Sequence, residues 1–269
     1  MDKYSPEHEN YFDSLKNIIS FLIRKIPRKY LQRFSHIFLR AIQVFYSGNN
    51  VECPVCNKSF RKFLPYGRFR ARDNALCPNC LSLERHRLLW LYLKEKTGFF
   101  SDKLKVLHIA PELCFIDRFE LLNNLEYITG DLDSPLAKVK MDVHHIPFGD
   151  DSFDMAICNH VMEHVDDDIK AMNEIRRVLK PGGWAIIQSP IMGWMYDKTF
   201  EDPAVTNPAM REKVFGQSDH VRLYGKDYPD RLRKAGFRVI EDDFVKTLPA
   251  ETVKRNALPG EEIIYLCRK

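Results

Sequence analysis

The sequence lacks any apolar run long enough to cross a lipid bilayer. The longest nearly uninterrupted apolar run near the N-terminus, residues 18–23, contains a serine and is followed by Arg24 and Lys25, whereas a membrane-spanning helix needs about 20 apolar residues. A secretory signal is also missing, because four acidic residues precede the first apolar stretch and no small-residue cleavage site follows it. These absences lead us to expect a cytoplasmic protein without a transmembrane segment.

The sequence also carries little net charge, +4 over 269 residues, but that charge is unevenly distributed. Residues 14–96 hold 17 Lys and Arg against 4 acidic residues, a net charge of +13, which leaves −9 for the remainder. Such an asymmetry is typical of a protein that binds nucleic acid or an anionic membrane surface. A basic segment that docks on its own acidic catalytic domain explains the asymmetry equally well.

A disulfide framework is not expected, since the seven cysteines are an odd number and cytoplasmic thiols stay reduced. Four of them form two C-x-x-C pairs, Cys53 with Cys56 and Cys77 with Cys80, with 20 residues between the pairs. This spacing is typical of a zinc ribbon or knuckle, and it predicts one structural Zn²⁺ held by four thiolates. The other three cysteines lie in apolar patterns, where we expect them to be buried: Cys114, Cys158 and Cys267.

Residues 11–46 carry apolar side chains at helical spacing, interrupted at Pro27, which predicts two amphipathic helices. Between Ser14 and Val51 there are seven Lys or Arg and no acidic residue. This composition is typical of a helix that rests on a membrane surface or packs against an acidic neighbour. Peripheral membrane contact through residues 11–46 and packing against the protein body or a second subunit are the two alternatives.

From Lys103 onward, strand patterns alternate with helix patterns. The predicted strands are residues 105–110, 126–129, 138–141, 153–159, 184–188, 237–242 and 263–267, and the predicted helices are residues 113–123, 167–179 and 226–235. This alternation predicts an α/β fold with a parallel sheet that has helices on both faces. The chain then divides into a basic helical segment (1–50), a zinc module with a linking helix (51–100) and the α/β domain (101–269).

Acidic residues follow the second and third strands of this domain, where an open α/β sheet binds nucleotide-like ligands. Asp131 and, next in preference, Asp133 follow the second strand, where a carboxylate accepts hydrogen bonds from ribose hydroxyls. Asp142 follows the third strand and can accept from an exocyclic amine such as that of adenine, while Val143 covers the ring face. The sequence therefore predicts a nucleoside-containing ligand.

Four segments of this domain resemble the class I S-adenosylmethionine-dependent methyltransferases of type 11: residues 106–112, 141–154, 159–165 and 177–183. The first also resembles a bacterial subgroup in which Ala-Pro-Glu follows a four-cysteine module. The resemblance implies a Rossmann-like sheet with S-adenosyl-L-methionine as its cofactor. It further implies that Glu112 and the backbone at Ala110 hold the methionine part, Asp131 the ribose and Asp142 the adenine, with Asn159 as a further cofactor contact.

The glycine-rich turn of this family is absent after the first strand. Ala110-Pro111-Glu112 stands where two glycines are expected, and His108 stands where an acid is common. A turn without glycine holds the backbone farther from a ligand. A domain that has the fold but only a non-catalytic binding role is therefore one alternative.

Three histidines are candidates for a general base, because imidazole titrates near neutrality. His160 and His164 follow the fourth strand, and His220 lies in an insertion, residues 190–225, that we expect to form a lid. Arg222 and Tyr224 of the same insertion are candidates for substrate binding, the arginine for an anionic group.

The predicted function is O- or N-methylation of a small-molecule or glycan-type acceptor. An RNA methyltransferase is the main alternative, because the basic region could neutralise phosphates.

Overall fold

A computed structural model of the protein describes residues 43–67 and 71–269. The two helices predicted within residues 11–46, and with them the predicted membrane contact, lie outside the described residues except for a short 3₁₀ helix at Gln43–Tyr46. Within the described ranges, no helix is long and apolar enough to cross a membrane.

The zinc module is built from two antiparallel strand pairs. Its strands are β1 (Ser47–Cys53), β2 (Lys58–Phe60), β3 (Leu64–Tyr66) and β4 (Arg72–Leu76), with β1 paired to β2 and β3 paired to β4. The first cysteine pair begins at the last residue of β1 and ends before β2, and the second pair follows β4. Helix α1 (Glu84–Lys96) then leads into the α/β domain.

The α/β domain contains one seven-stranded sheet in the order β12-β13-β9-β8-β5-β6-β7. Its strands are β5 (Leu104–Ile109), β6 (Leu125–Asp131), β7 (Val139–Lys140), β8 (Phe153–Asn159), β9 (Leu179–Gln188), β12 (Arg238–Asp242) and β13 (Ile264–Arg268). The larger helices between them are α2 (Leu113–Glu120), α3 (Asp168–Val178) and, after the insertion, α5 (Tyr228–Lys234). Only β13 runs antiparallel to its neighbours among the strands of this sheet. The predicted α/β Rossmann-like fold is confirmed.

The insertion and the C-terminal region contain elements that the sequence patterns did not predict. These are β10 (Phe200–Glu201), α4 (Pro208–Phe215), β11 (Arg222–Leu223), α6 (Phe244–Thr247) and α7 (Ala250–Arg255). Helix α4 begins at Asn207, whose side chain accepts a hydrogen bond from Met210 N at 2.9 Å, with Pro208 in the first turn. All five elements have eight residues or fewer, which is too short for apolar periodicity to reveal them.

One hydrophobic core joins the zinc module to one face of the sheet. Cys53 and Phe63 of the module share this core with Leu88 of α1, Phe115 of α2 and Ile186 of β9. The second core, on the opposite face, packs α3 and α5 against the same sheet. Residues on both sides of the predicted boundary near residue 100 therefore pack in the same hydrophobic core.

Arg87 of α1 fastens the module to the C-terminal region. The residue is fully buried, and its guanidinium donates to the carbonyls of Ala75 and Ser82 at 2.9 Å and to those of Asn256 and Ala257 at 2.7 and 2.6 Å. Elsewhere on this interface, Arg255 of α7 forms an ion pair with Glu52 of β1. Both contacts join the module to the α/β domain: the module supplies the cation in the first, and the α/β domain supplies it in the second.

Candidate functional site

Each C-x-x-C pair sits in a knuckle that turns sharply after its second cysteine. Asn57 and Leu81 follow the two pairs, and both have left-handed backbone with φ of 53° and 63°. Their N–H groups donate back to the carbonyls of Cys53 at 2.8 Å and Cys77 at 3.0 Å. The two turns have the same geometry, and each one brings the two thiols of its pair together.

The four sulfurs that result have the spacing of a tetrahedral metal shell. Cys53 Sγ lies 3.6 Å from Cys80 Sγ, and Cys56 Sγ lies 3.7 Å from Cys77 Sγ. Zinc–sulfur bonds of about 2.3 Å in a tetrahedron place sulfurs about 3.8 Å apart. The residues present therefore fit a Zn²⁺ ion with four thiolate ligands and no open position.

The carboxyl ends of β5 and β8 are followed by strained backbone. Ala110 has φ of 50° and His160 has φ of 55°, although neither residue is glycine. Such conformations cost about 1–3 kcal/mol each and concentrate at functional sites. The turn after β5 thus keeps the left-handed conformation that favours glycine, although alanine occupies the position.

Glu112 directly follows this turn and is held by two buried neighbours. Its Oε2 lies 2.6 Å from His108 Nε2, and its Oε1 accepts a hydrogen bond from Asn159 Nδ2 at 2.9 Å. His108 in turn contacts the hydroxyl of Tyr127 at 2.6 Å through Nδ1. The Glu112 carboxylate therefore contacts the side chain of His108, the strand position at which an acid is common in the family.

Glu112 stays ionised over the physiological range. Burial raises its pKa, but hydrogen bonding and charge from His108, with contributions from His86 and Asn159, outweigh burial and lower the pKa to about 2. His86 of α1 lies 3.7 Å from Glu112 Oε1, and burial lowers the pKa of this histidine to about 3. A neutral imidazole from the zinc module thus lies beside the buried carboxylate.

The remaining predicted cofactor residues lie along the same sheet edge. Ala110 N donates to the carbonyl of Gly130 at 2.8 Å, and Met141 N donates to that of Asp131 at 2.9 Å, so the ends of the first three strands are adjacent. A side chain on Gly130 would lie 2.4 Å from Met141 Sδ, so any larger residue here would require the Met141 side chain to move.

The carboxylates at this edge are partly engaged by their own loops. Asp131 Oδ1 accepts from the N–H groups of Asp133 at 2.8 Å and Ser134 at 2.6 Å. Asp142 Oδ1 accepts from His144 N at 2.8 Å, a bond that lowers the pKa of Asp142. Val143 is buried beside them.

A cavity of about 740 Å³ opens at the carboxyl ends of β8 and β9. Its lining includes His160, Gln188 and Ser189 from the sheet edge, Trp194 from the insertion and Glu262 from the C-terminal loop. Arg85 of α1 lines it from the zinc-module side. Four chain regions thus line a space of the size that small-molecule sites have.

His160 is the predicted histidine that faces this cavity. Its Nδ1 lies 3.2 Å from Glu163 Oε1, and Glu163 Oε2 accepts a hydrogen bond from Ser189 Oγ at 3.1 Å. Burial raises the pKa of Glu163, but the hydrogen bond and charge of His160 outweigh burial, and the pKa is lowered. An ionised, 2% exposed carboxylate therefore orients the ring.

His164 and His220 form a separate pair beside Glu163. Their ring centroids are 4.7 Å apart at an interplanar angle of 81°, so the structure brings a histidine of the insertion against one that follows the fourth strand. The lining residues of the large cavity include neither of them.

The structure corrects the two predicted substrate-binding residues. Arg222 is 3% exposed, and its guanidinium donates to Glu201 Oε1 and to the carbonyls of Met162, Val165 and Asp166. Tyr224 is fully buried, with its hydroxyl 2.8 Å from Asp168 Oδ2. Both residues fasten the insertion to the turn after β8, so neither is available to a substrate.

Several residues of the site were not predicted from the sequence. Arg85 and His86 belong to the helix of the zinc module, and Glu262 belongs to a loop near the C-terminus, so chain position gave no sign of their proximity. Three buried polar atoms in this region have no hydrogen-bond partner in the described part of the chain: Arg85 Nε, His86 Nε2 and Asn159 Oδ1. Glu163 lies in the sequence between the candidate histidines His160 and His164, and this position was the only feature from which its role could have been predicted.

Residues 118–187 match a family described as "Methyltransferase domain". This range runs from α2 through β6, β7, β8 and α3 to the end of β9, and so covers the centre of the sheet. These residues are therefore similar to a methyltransferase domain. The match begins after Ala110-Pro111-Glu112, in keeping with the departure of that turn from the glycine-rich pattern.

The methyltransferase domain also has similar proteins among curated relatives. One is the tRNA U34 carboxymethyltransferase of Nautilia profundicola, 33% identical over 106 residues, which are 39% of this chain and 30% of that protein. Another is the 2-phytyl-1,4-naphtoquinone methyltransferase of Nostoc punctiforme, 29% identical over 115 residues, 39% of this chain and 50% of that protein. The chain thus spans half or less of these relatives.

Among solved structures, a SAM-dependent methyltransferase from Archaeoglobus fulgidus is similar with 16% identity. The match has a TM-score of 0.45 and covers 68% of this chain and 93% of that one.

Proposed function

We propose that this chain transfers a methyl group from S-adenosyl-L-methionine to a small-molecule or glycan-type acceptor. The observation that carries the proposal is a partly buried, ionised carboxylate, Glu112, at the carboxyl end of β5, whose partner Asn159 directly precedes His160 in the lining of a cavity of about 740 Å³. A carboxylate at this edge suits the ammonium group of the cofactor, and the cavity suits an acceptor.

Each cofactor residue has a role in this proposal. Glu112 binds the ammonium group, with Asn159 and the backbone of Ala110 beside it. Asp131, whose Oδ1 is engaged by its own loop, offers Oδ2 to the ribose hydroxyls, and Asp133 lies next to it. Asp142 accepts from the adenine amine, and Val143 covers the ring.

The bound cofactor supplies an electrophilic methyl group on a cationic sulfur. In the proposed reaction, His160 removes the proton of the attacking acceptor, because Glu163 binds Nδ1 and leaves Nε2 to accept it. His164 and His220, our other base candidates, are not among the residues that line the cavity. The proposal therefore ranks His160 first among the three.

The lining of the cavity favours an acceptor that has both a flat apolar face and polar groups. Trp194 is 77% exposed and offers a ring for stacking, while Arg85, Lys246 and Glu262 contribute charges of both signs. A phosphate-binding surface would have cations without interspersed acids. These features support a small or glycan-type acceptor.

Calorimetric titration with S-adenosylmethionine tests the cofactor site. Glu112→Gln should weaken binding by about 1.5–3 kcal/mol, the contribution of a hydrogen bond to a charged group, and Asp142→Ala by about 1–3 kcal/mol. Glu126→Gln, at the opposite end of β6, is the control and should bind as wild type. Unchanged affinity in Glu112→Gln would remove its assignment, and no binding by the wild type would favour the non-catalytic alternative.

The second candidate function is methylation of RNA, which the tRNA-modifying relatives favour. Residues 14–96, with their net charge of +13, would supply the phosphate contacts. Filter binding of bulk RNA over a salt series tests this candidate, because phosphate contacts give affinity that falls steeply with salt. Transfer of labelled methyl groups into ribonuclease-sensitive material would select RNA over a small acceptor.

We also propose that the four cysteines hold one structural Zn²⁺. Both knuckles place their thiols at metal-binding distances, and the module between them is too small to fold on apolar burial alone.

A further inference from the structure

We propose that Glu163, His164 and His220 bind a divalent metal ion, at a site distinct from the four cysteines. One ligand atom of each residue lies within 4.8 Å of the ligand atoms of the other two. The proposal concerns binding of the ion and does not depend on methyl transfer.

The chain brings these residues together from two distant segments. Glu163 and His164 lie in the turn after β8, where His164 N donates to the carbonyl of Val161 at 2.9 Å. His220 comes from the insertion, which is docked by a hydrogen bond from Val221 N to the carbonyl of Glu163 at 2.9 Å. Arg222, two residues beyond His220, clamps the same turn through three carbonyls. The site is therefore rigidly supported on both sides.

Burial distinguishes this group from an ordinary surface cluster. Glu163 is 2% exposed and His220 is 5% exposed. His220 Nδ1 is buried and has no hydrogen-bond partner among the described residues. A buried polar atom without a partner destabilises the fold, and native structures rarely leave one without a reason. A bound cation would compensate for this cost.

The ligand set indicates the class of ion. Two imidazoles and one carboxylate suit Zn²⁺, Mn²⁺, Fe²⁺ or Co²⁺, whereas the four thiolates of the knuckles select zinc. Three protein ligands leave at least one coordination position open. His164 is one third exposed, so this open side can be reached from solvent.

Neighbouring groups contact the proposed ligand side chains and orient them, as hydrogen-bond partners outside the ligand shell do at metal sites. Ser189 Oγ donates to Glu163 Oε2 at 3.1 Å, and His164 Nδ1 lies 3.2 Å from the carbonyl of Asp219. In this arrangement His164 and His220 serve as ligands, which leaves His160 as the histidine free to accept a proton.

Binding of Mn²⁺ and Co²⁺ to the full-length, zinc-loaded chain tests the proposal. Electron paramagnetic resonance should count one bound Mn²⁺ per chain in addition to the zinc. Glu163→Gln, His220→Ala and His164→Ala should each weaken binding at least about tenfold, since even partners outside the ligand shell contribute that much. His145→Ala, an exposed histidine outside the group, is the control and should bind as wild type.

Two results would overturn the proposal. One is that neither ion binds the wild-type chain at millimolar concentration, and the other is that all three variants bind as wild type. Because Glu163 and His220 are buried, their variants are compared with wild type by circular dichroism first. His164→Ala removes a partly exposed side chain, so its folding is not at risk and it decides the outcome if the other two variants unfold.

Discussion

At the scale of single residues, the turn after β5 differs from the glycine-rich turn of the family in its side chains, whereas its backbone keeps a conformation that favours glycine. Ala110 adopts left-handed backbone, and Glu112 returns its carboxylate to His108. The chain therefore tolerates strain at Ala110, and this strain can be measured.

Replacing Ala110 with glycine should stabilise the protein. Left-handed backbone costs an L-residue about 1–2 kcal/mol, of which glycine's greater freedom in the unfolded chain cancels about 0.4–1 kcal/mol. We expect the free energy of unfolding in urea to rise by up to about 1 kcal/mol. Ala185→Gly, in the buried extended strand β9, is the control and should destabilise instead. A loss of stability in Ala110→Gly would mean that the turn is not strained.

Glu262 should make stability depend on pH. Burial raises its pKa to about 7, against an opposing contribution from Arg85, whereas an unfolded glutamate titrates near about 4.3. The native state then binds more protons than the unfolded state between these values, so stability falls as the pH rises through this window.

Glu262→Gln removes this loss and should therefore be more stable than wild type at pH 8, by about 1–3 kcal/mol, but nearly equal at pH 5. Urea unfolding at both pH values measures the difference. The exposed neighbour Glu261 supplies the control, since Glu261→Gln should not show this pattern. An equal effect of Glu262→Gln at both pH values would contradict a raised pKa.

At the scale of elements, long periodic patterns were sufficient to predict strands and helices from the sequence. Short elements could not be predicted in this way. Strand β8 and helix α3 lie within one residue of their predicted bounds, because an apolar strand and an amphipathic helix each leave a clear period. Helix α4, with two turns, leaves none. The two-residue strands β10 and β11 are joined by an ion pair between Arg222 and Glu201, a contact that no local apolar pattern reveals.

The candidate site divides along the same line. The shared location of the proposed cofactor residues could be predicted, because parallel strands place their carboxyl ends at one edge, and locating Asp131 and Asp142 there needed only correct strand ends. Arg85 and His86 could not, because their approach depends on how α1 packs against Phe115 and Glu112. Arg222 was misassigned for a related reason: a sequence does not show that four acceptors surround a guanidinium.

At the scale of the whole molecule, the cysteine knuckles and the sheet share one hydrophobic core. Cys53 and Cys77 lie in the same core as Phe115 and Ile186, and Arg87 connects the second knuckle to the segment after α7. A structural ion then stabilises more than its own module, because loosening the knuckles exposes one face of the sheet.

Removing zinc should therefore destabilise the entire chain and not a detachable part. We expect Cys77→Ser to contain no zinc and to unfold with a free energy several kcal/mol below wild type, as lost structural zinc sites do. Tryptophan fluorescence and far-ultraviolet circular dichroism should report the same single transition, because Trp90 lies on α1 and Trp184 on β9, and both contact the shared core.

Cys114→Ala, a buried cysteine outside the knuckles, is the control and should keep one zinc per chain by elemental analysis. Two separate transitions, with the sheet unfolding as in wild type, would show that the module is independent after all, and a wild-type protein without zinc would remove the metal itself.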